Sequence, residues 1–110
     1  MADLKRQLAI KVGVCRRLLK EVLAYENEAK TNEARVQKMR DDGKDEYDIR
    51  KQEEVLQESY MMIPDSKARL QTSLSELKTF LEQHAEEDLP GADDKGMVEA
   101  RNILMQAAAT

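Results

Sequence analysis

The sequence predicts an all-α protein, an elongated antiparallel three-helix bundle of the spectrin-like or coiled-coil rod type. Charged residues make up 36% of the 110 residues, and only four glycines and two prolines occur. This composition favours long helices. Apolar residues recur every seven positions along two long segments, as they do in helices that pack along a seam. The Pro90–Gly91 pair marks a loop before a third, shorter segment.

Helix 1 is predicted over about residues 4–41. The second apolar position of its heptads is occupied by Leu18, Tyr25 and Met39 but is interrupted by the polar residues Lys11 and Asn32. The helix is expected to end before Gly43, because glycine readily adopts the left-handed conformation that ends many helices. The apolar ladder that predicts the helix consists of Leu8, Cys15, Val22, Ala29 and Val36.

Helix 2 is predicted over about residues 45–83. Its ladder keeps the same phase on both sides of Pro64, so we expect one helix that is kinked near Met61. The alternative is two stacked helices with Pro64 in the first turn of the second. The ladder consists of Ile49, Leu56, Ile63, Leu70 and Leu77, joined by Tyr60, Leu74 and Leu81.

A loop over residues 84–93 and a third helix over about 94–109 complete a predicted single domain, residues 1–110. The third helix should run back along the second half of helix 2 and beside the N-terminal half of helix 1. Its buried face is predicted to contain Met97, Ala100, Leu104 and Ala107, with Val98 and Ile103 off that face.

Catalysis is not expected, because the sequence offers no convergent set of catalytic or metal-binding residues. The only histidine, His84, is interpreted as a surface residue near a helix end, and the only cysteine, Cys15, as a buried and inert thiol. No Gly-rich phosphate loop is present. We therefore expect a protein without enzymatic activity, metal or cofactor.

The lack of a predicted membrane span or signal segment and the net charge of the chain favour a cytosolic protein that binds other proteins. No apolar stretch approaches the roughly 20 residues of a membrane span, and Lys11 interrupts the only candidate signal segment. The net charge of −4 disfavours nucleic acid as a partner. Residues 1–24 nevertheless carry a net charge of +4, which leaves −8 on the remainder.

This basic segment, with Arg16, Arg17 and Lys20, has three possible interpretations. It is the solvated face of a bundle helix, a surface for an acidic protein, or a helix that targets a membrane or an organelle.

Helix 2 carries a second candidate surface opposite its ladder. A helical projection places Tyr47, Glu54, Glu58 and Met61 on one outward stripe. Exposed Tyr and Met beside acidic residues are typical of an adaptable binding surface. In the alternative interpretation, helix 3 or the kink covers Met61 and its neighbour Met62.

The same region resembles a known family, tubulin-binding cofactor A. The resemblance is carried by Tyr47-Asp48-Ile49, Val55-Leu56, Glu58-Ser59 and above all Met61-Met62-Ile63-Pro64-Asp65, and upstream by Ile10-Lys11, Gly13 and Cys15-Arg16-Arg17. It covers roughly residues 8–82. Two residues depart from the expected family pattern: Tyr60 stands where we expect a basic residue, and Ser66 where a cysteine is common.

The resemblance implies a cytoplasmic, cytoskeleton-associated chaperone. Such a protein captures β-tubulin after its release from the chaperonin and holds it, with other tubulin-folding cofactors, for heterodimer assembly. It is a monomer or a weak homodimer, and it needs neither ATP nor metal. The competing hypothesis is a structural coiled-coil adaptor or oligomerisation module. The predicted partner-binding residues are Tyr47, Glu54, Glu58, Tyr60, Met61 and Pro64, with Arg16, Arg17 and Lys20 as a basic alternative.

Overall fold

The computed structural model describes residues 3–85 and 89–109, and their secondary structure consists of three helices without a strand. Helix α1 is Leu4–Asp41, α2 is Glu46–Gln83 and α3 is Lys95–Ala108. The prediction of an all-α protein with three helices is confirmed. Within the predicted loop, residues 86–88 lie outside the described residues, and with them Glu86 and Glu87 beside His84. No helix in the described ranges combines the length and the apolar character needed to cross a membrane.

The turn between α1 and α2 depends on Gly43. Its φ of 66° lies in the left-handed region, where a side chain would be strained. In this conformation Lys44 N–H donates to the Met39 carbonyl at 3.0 Å and Gly43 N–H donates to Arg40 at 3.1 Å. These bonds satisfy carbonyls that the end of α1 leaves without helical partners. Helix α2 then begins with Glu46 and Asp48, which favour a helix N-terminus electrostatically.

Helix α2 is continuous through Pro64. A proline inside a helix removes one backbone hydrogen bond and crowds the carbonyl of the residue four positions earlier, here Tyr60. The helix tolerates this cost because its buried residues keep their phase on both sides. The alternative of two separate helices is therefore wrong, whereas the bend near Met61 stays a prediction.

The chain forms two compact units. The described part of the first, called the three-helix unit below, comprises residues 3–19, 69–85 and 89–109. The second, called the hairpin unit, comprises residues 20–68.

The three-helix unit has an apolar core to which all three helices contribute. Leu8 and Leu77 are fully buried at its centre. The core residues are Leu4, Leu8, Val12, Cys15, Leu18, Leu19, Leu70, Leu74, Leu77, Phe80, Ala100, Ile103 and Ala107. The Cys15 thiol lies 3.1 Å from the Ser73 hydroxyl, and both groups are buried.

Helix α3 packs in this unit through its small residues. A Cβ atom at Gly96 would lie 3.4 Å from Leu8, so the helix approaches α1 closely there. The buried face is Ala100, Ile103 and Ala107, whereas Leu104 is half-buried. The prediction that Ile103 lies off the buried face is wrong, because the helix is rotated so that Ala100, Ile103 and Ala107 face the core, which leaves Met97 half-buried as well.

Polar contacts hold the start of α3 against α1. Asp94 caps the helix by accepting a hydrogen bond from Gly96 N–H at 2.9 Å, and its carboxylate lies 3.3 Å from Lys5 Nζ. Burial acts to raise the pKa of Asp94, but the bonds from Lys5 and Gly96, the Lys5 charge and the Met97 N–H outweigh it and lower that pKa. Farther along, Arg16 pairs with Glu99 at 3.1 Å.

The hairpin unit packs α1 and α2 antiparallel around a small and partly polar core. Two ion pairs join the helices in the antiparallel arrangement. Arg40 pairs with Glu53 near the turn at 3.0 Å, and Glu26 pairs with Lys67 far from it at 3.3 Å. Its buried residues are Val22, Ala29, Asn32, Val36, Ser59 and Ser66. The predicted ladder residues Ile49, Leu56 and Ile63 are only half-buried.

Asn32 lies at the centre of this polar core. Its side-chain amide donates to the Ser59 hydroxyl at 2.7 Å, and its oxygen accepts from Gln52 at 3.5 Å. The interpretation of Asn32 as a lapse in the seam is therefore wrong, because the residue is buried and hydrogen-bonded. Ser59 also occupies the buried position of α2 that the sequence pattern assigned to Tyr60. Tyr60 is 38% exposed and does not join the ladder, since Ser59 faces α1 instead.

A candidate partner-binding surface on helix α2

The exposed large apolar side chains of the described residues concentrate in the hairpin unit. Met61 is 74% exposed and Tyr47 is 61% exposed. The complete set in this unit is Leu23, Tyr47, Val55, Tyr60, Met61 and Met62. In the other unit the corresponding residues are Ile10 and Met105. Clustered exposed apolar side chains mark interaction surfaces more often than scattered ones do.

Four of the predicted site residues form one outward stripe on α2, called the acidic–apolar stripe below. Tyr47, Glu54, Glu58 and Met61 are all exposed, and their positions fall within about 60° on a helix of 100° per residue. The carboxylates of Glu54 and Glu58 have no hydrogen-bond or ion-pair partner among the described residues. Met61 and Met62 are both exposed, so the interpretation in which another part of the chain covers them is wrong.

Tyr47 and Met61 give the stripe two different apolar ends. The ring of Tyr47 is contacted on its face by Lys51, whose Nζ lies 5.5 Å from the ring centroid. This cation–π contact restricts the ring, most of which remains exposed to solvent. Met61 is flexible and polarisable, which allows it to fit partner surfaces of different shape.

Tyr60 and Pro64 lie beside the stripe rather than on it. The Tyr60 hydroxyl donates a hydrogen bond to the Glu33 carboxylate of α1. This bond, with smaller contributions from burial and from the Glu33 charge, raises the pKa of Tyr60. Tyr60 therefore joins α2 to α1 next to Met61. Pro64 is exposed, and the carbonyl that its ring crowds belongs to Tyr60.

The three basic site candidates do not share one environment. Arg16 pairs with Glu99 of α3, so it has a structural contact within the three-helix unit. Arg17 is exposed in the same unit, and it has no charged partner among the described residues. Lys20 is exposed and belongs to the hairpin unit. The sequence could not separate these roles, because Arg16 and Glu99 are 83 positions apart.

Residues that could carry other chemistry have structural surroundings. Cys15 is buried beside Ser73, and the ring of His84 lies 4.7 Å from that of Phe80. Among residues 3–85 and 89–109, no group of three or more His, Cys, Asp or Glu could hold a metal ion. The acidic–apolar stripe remains the feature best suited to function. Leu23 is an exposed apolar residue of α1 in the hairpin unit, and the heptad pattern of the sequence did not predict its exposure.

Comparison with known proteins identifies the family. A family model described as tubulin binding cofactor A matches residues 3–104. The chain belongs to this family. It is 48% identical to human tubulin-specific chaperone A over 105 residues, which is 94% of each protein. This is a family of binding cofactors and not of enzymes.

Solved structures of the tubulin binding cofactor A family share the fold. Tubulin folding cofactor A from Arabidopsis thaliana superposes with a TM-score of 0.90, at 34% identity and over the whole of both chains. Rbl2p, described as a β-tubulin binding post-chaperonin cofactor, superposes with a TM-score of 0.78 at 33% identity, covering 94% of this chain and 95% of that one. The resemblance to this family that the sequence showed is thereby confirmed.

Proposed function

We propose that this protein captures β-tubulin after its release from the chaperonin and holds it for assembly into the tubulin heterodimer. The observation that carries the proposal is the acidic–apolar stripe, where Met61 and Tyr47 are strongly exposed and lie on the same face of α2 as Glu54 and Glu58. Membership of the tubulin binding cofactor A family and the β-tubulin binding described for Rbl2p support it.

Capture by this surface requires binding and no chemical step. Removal of Tyr47 and Met61 from water on contact supplies a favourable free energy that does not depend on direction. Glu54 and Glu58 then favour a partner that presents basic groups in register with them, and they disfavour acidic surfaces. Nucleotide and metal have no part in such a cycle.

Tyr60 and Pro64 set the geometry of this surface. The bond from Tyr60 to Glu33 fixes the turn that precedes Pro64, and a bend at that turn would change the direction in which Met61 points. Arg17 and Lys20 are the basic alternative, with Arg16 committed to Glu99. We place the protein in the cytoplasm with the cytoskeleton, as a monomer or weak homodimer that hands β-tubulin to other folding cofactors.

Sedimentation velocity with and without β-tubulin tests the proposal. The protein alone should sediment as a monomer at low micromolar concentration, and β-tubulin freshly released from chaperonin should shift it into a faster complex. A coiled-coil adaptor or oligomerisation module would instead self-associate in that range and ignore tubulin. That result would replace the chaperone proposal with the structural one.

A further inference from the structure

A second exposed surface lies in the three-helix unit, on the N-terminal part of α1. Ile10 is 57% exposed there, and it is flanked by Arg6 and Arg17, which are also exposed. The three positions fall within about 40° on a helical projection, so they form one stripe. Two other basic side chains of this segment have acidic partners: Lys5 pairs with Asp94, the N-cap of α3, and Arg16 pairs with Glu99. Neither Arg6 nor Arg17 has an acidic partner among the described residues.

Gly13 lies on the same stripe, between Ile10 and Arg17. A glycine in the interior of a helix lowers its stability relative to alanine. The packing of this fold does not require the missing side chain. A Cβ atom at Gly13 would meet only the Arg16 guanidinium, at an ordinary 3.7 Å. This contrasts with Gly96, where a Cβ atom would lie 3.1 Å from Asp94 and 3.4 Å from Leu8. Gly13 is half-buried beside the Arg16 guanidinium, and the space at its Cβ position leaves the helix backbone accessible to close approach.

We infer that Arg6, Ile10, Gly13 and Arg17 bind an acidic segment of a partner protein. Carboxylates of the segment would pair with the two guanidinium groups, an apolar side chain would cover Ile10, and the partner backbone would lie over Gly13. Arg6 and Arg17 are eleven positions apart, about 16 Å along the helix. An extended peptide covers that distance in about five residues. This inference does not depend on the function proposed for α2.

A designed peptide tests the site directly. The probe is fluorescein-labelled, with two glutamates about five residues apart and a leucine between them, and its binding is followed by fluorescence anisotropy. The wild-type protein should bind it at low ionic strength and lose affinity as salt is added, because salt screens exposed ion pairs. Arg6→Glu with Arg17→Glu should abolish binding. The matched control is Lys78→Glu with Lys95→Glu, two exposed lysines in the same unit, and it should bind like the wild type.

Gly13→Ala separates a binding role from a structural one. The variant should melt a few degrees higher than the wild type, since alanine favours the helix, and it should bind the probe at least about tenfold more weakly. Unchanged binding in either the double arginine variant or Gly13→Ala would overturn the inference. Failure of the wild type to bind the peptide, combined with sedimentation on phosphatidylserine vesicles, would assign the stripe to a membrane surface and would also overturn it.

Discussion

Pro64→Ala is expected to stabilise the protein while weakening its capture of β-tubulin. Pro64 lies inside the 38-residue helix α2, and its ring is exposed. The substitution restores the hydrogen bond to the Tyr60 carbonyl and removes a clash, a difference of about 3 kcal/mol in a helix interior. Against this gain, alanine allows the unfolded chain more conformational freedom than proline does, which lowers the free energy of unfolding by about 0.4–1 kcal/mol. The free energy of unfolding should therefore rise by about 2 kcal/mol.

Urea denaturation followed by circular dichroism measures the change. With a slope of about 2 kcal/mol per molar urea, the midpoint should rise by about 1 M. The substitution should also remove the predicted bend near Met61, which would move Met61 relative to Tyr60 and weaken the capture of β-tubulin. Pro90→Ala is the matched control: it lies outside the three helices and has no helical hydrogen bond to regain, so its midpoint should not rise. A lower midpoint for Pro64→Ala would refute the argument, since it would show that the proline stabilises α2.

Other variants test the packing of each unit. Leu70→Ala should cost about 2–5 kcal/mol in urea denaturation, and Leu56→Ala clearly less, because Leu70 is buried and Leu56 is half-exposed; equal losses would contradict the burial assignment. Asn32→Ala should cost about 1–3 kcal/mol by losing its bond to Ser59, and a double-mutant cycle with Ser59→Ala should show coupling. The pKa of Asp94 is lowered from its usual 3.8, so its stabilising effect is complete above that value and is lost as pH falls through the lower folded-state pKa. Thermal melts from about pH 5 to pH 2 should therefore decline less steeply for Asp94→Asn than for the wild type.

The apolar heptads made much of the fold predictable. Leu8, Cys15 and Val22 repeat at the spacing of a packed helix, and all are buried. The unbroken phase across Pro64 also indicated one helix where proline usually suggests an end. These inferences succeeded because burial of an apolar side chain is decided mostly by its own position on the helix.

The buried polar positions could not be predicted in this way. Ser59, Ser66 and Ser73 are buried along α2, yet a short hydroxyl side chain gives no hydrophobic signal. The large apolar Tyr60 was therefore assigned to the place of its neighbour Ser59. Asn32 looked like a defect because its partner Ser59 is 27 positions away. Such positions depend on contacts between helices, which the local pattern does not contain.

The candidate site was predictable in part for a similar reason. The outward direction of Glu54 and Met61 follows from the period of α2 alone, and both are exposed as expected. The basic group was less uniform than its sequence indicated, because Arg16 pairs with α3 whereas Arg17 does not. Charge runs indicate where basic residues lie, but only the fold determines which of them remain available.

Charge reversal on the acidic–apolar stripe tests the central claim most directly. Glu54→Lys with Glu58→Lys changes the net charge from −4 to 0. The matched control, Glu76→Lys with Glu82→Lys, makes the same change at two exposed acids of α2 in the three-helix unit. Affinity for β-tubulin is measured with each variant immobilised, and stability by thermal melting.

We expect the stripe variant to bind β-tubulin at least about tenfold more weakly, with a melting temperature near that of the wild type because neither glutamate contacts the core. The control should bind normally. Equal affinity of the stripe variant and the wild type would contradict the claim that this surface of α2 holds β-tubulin.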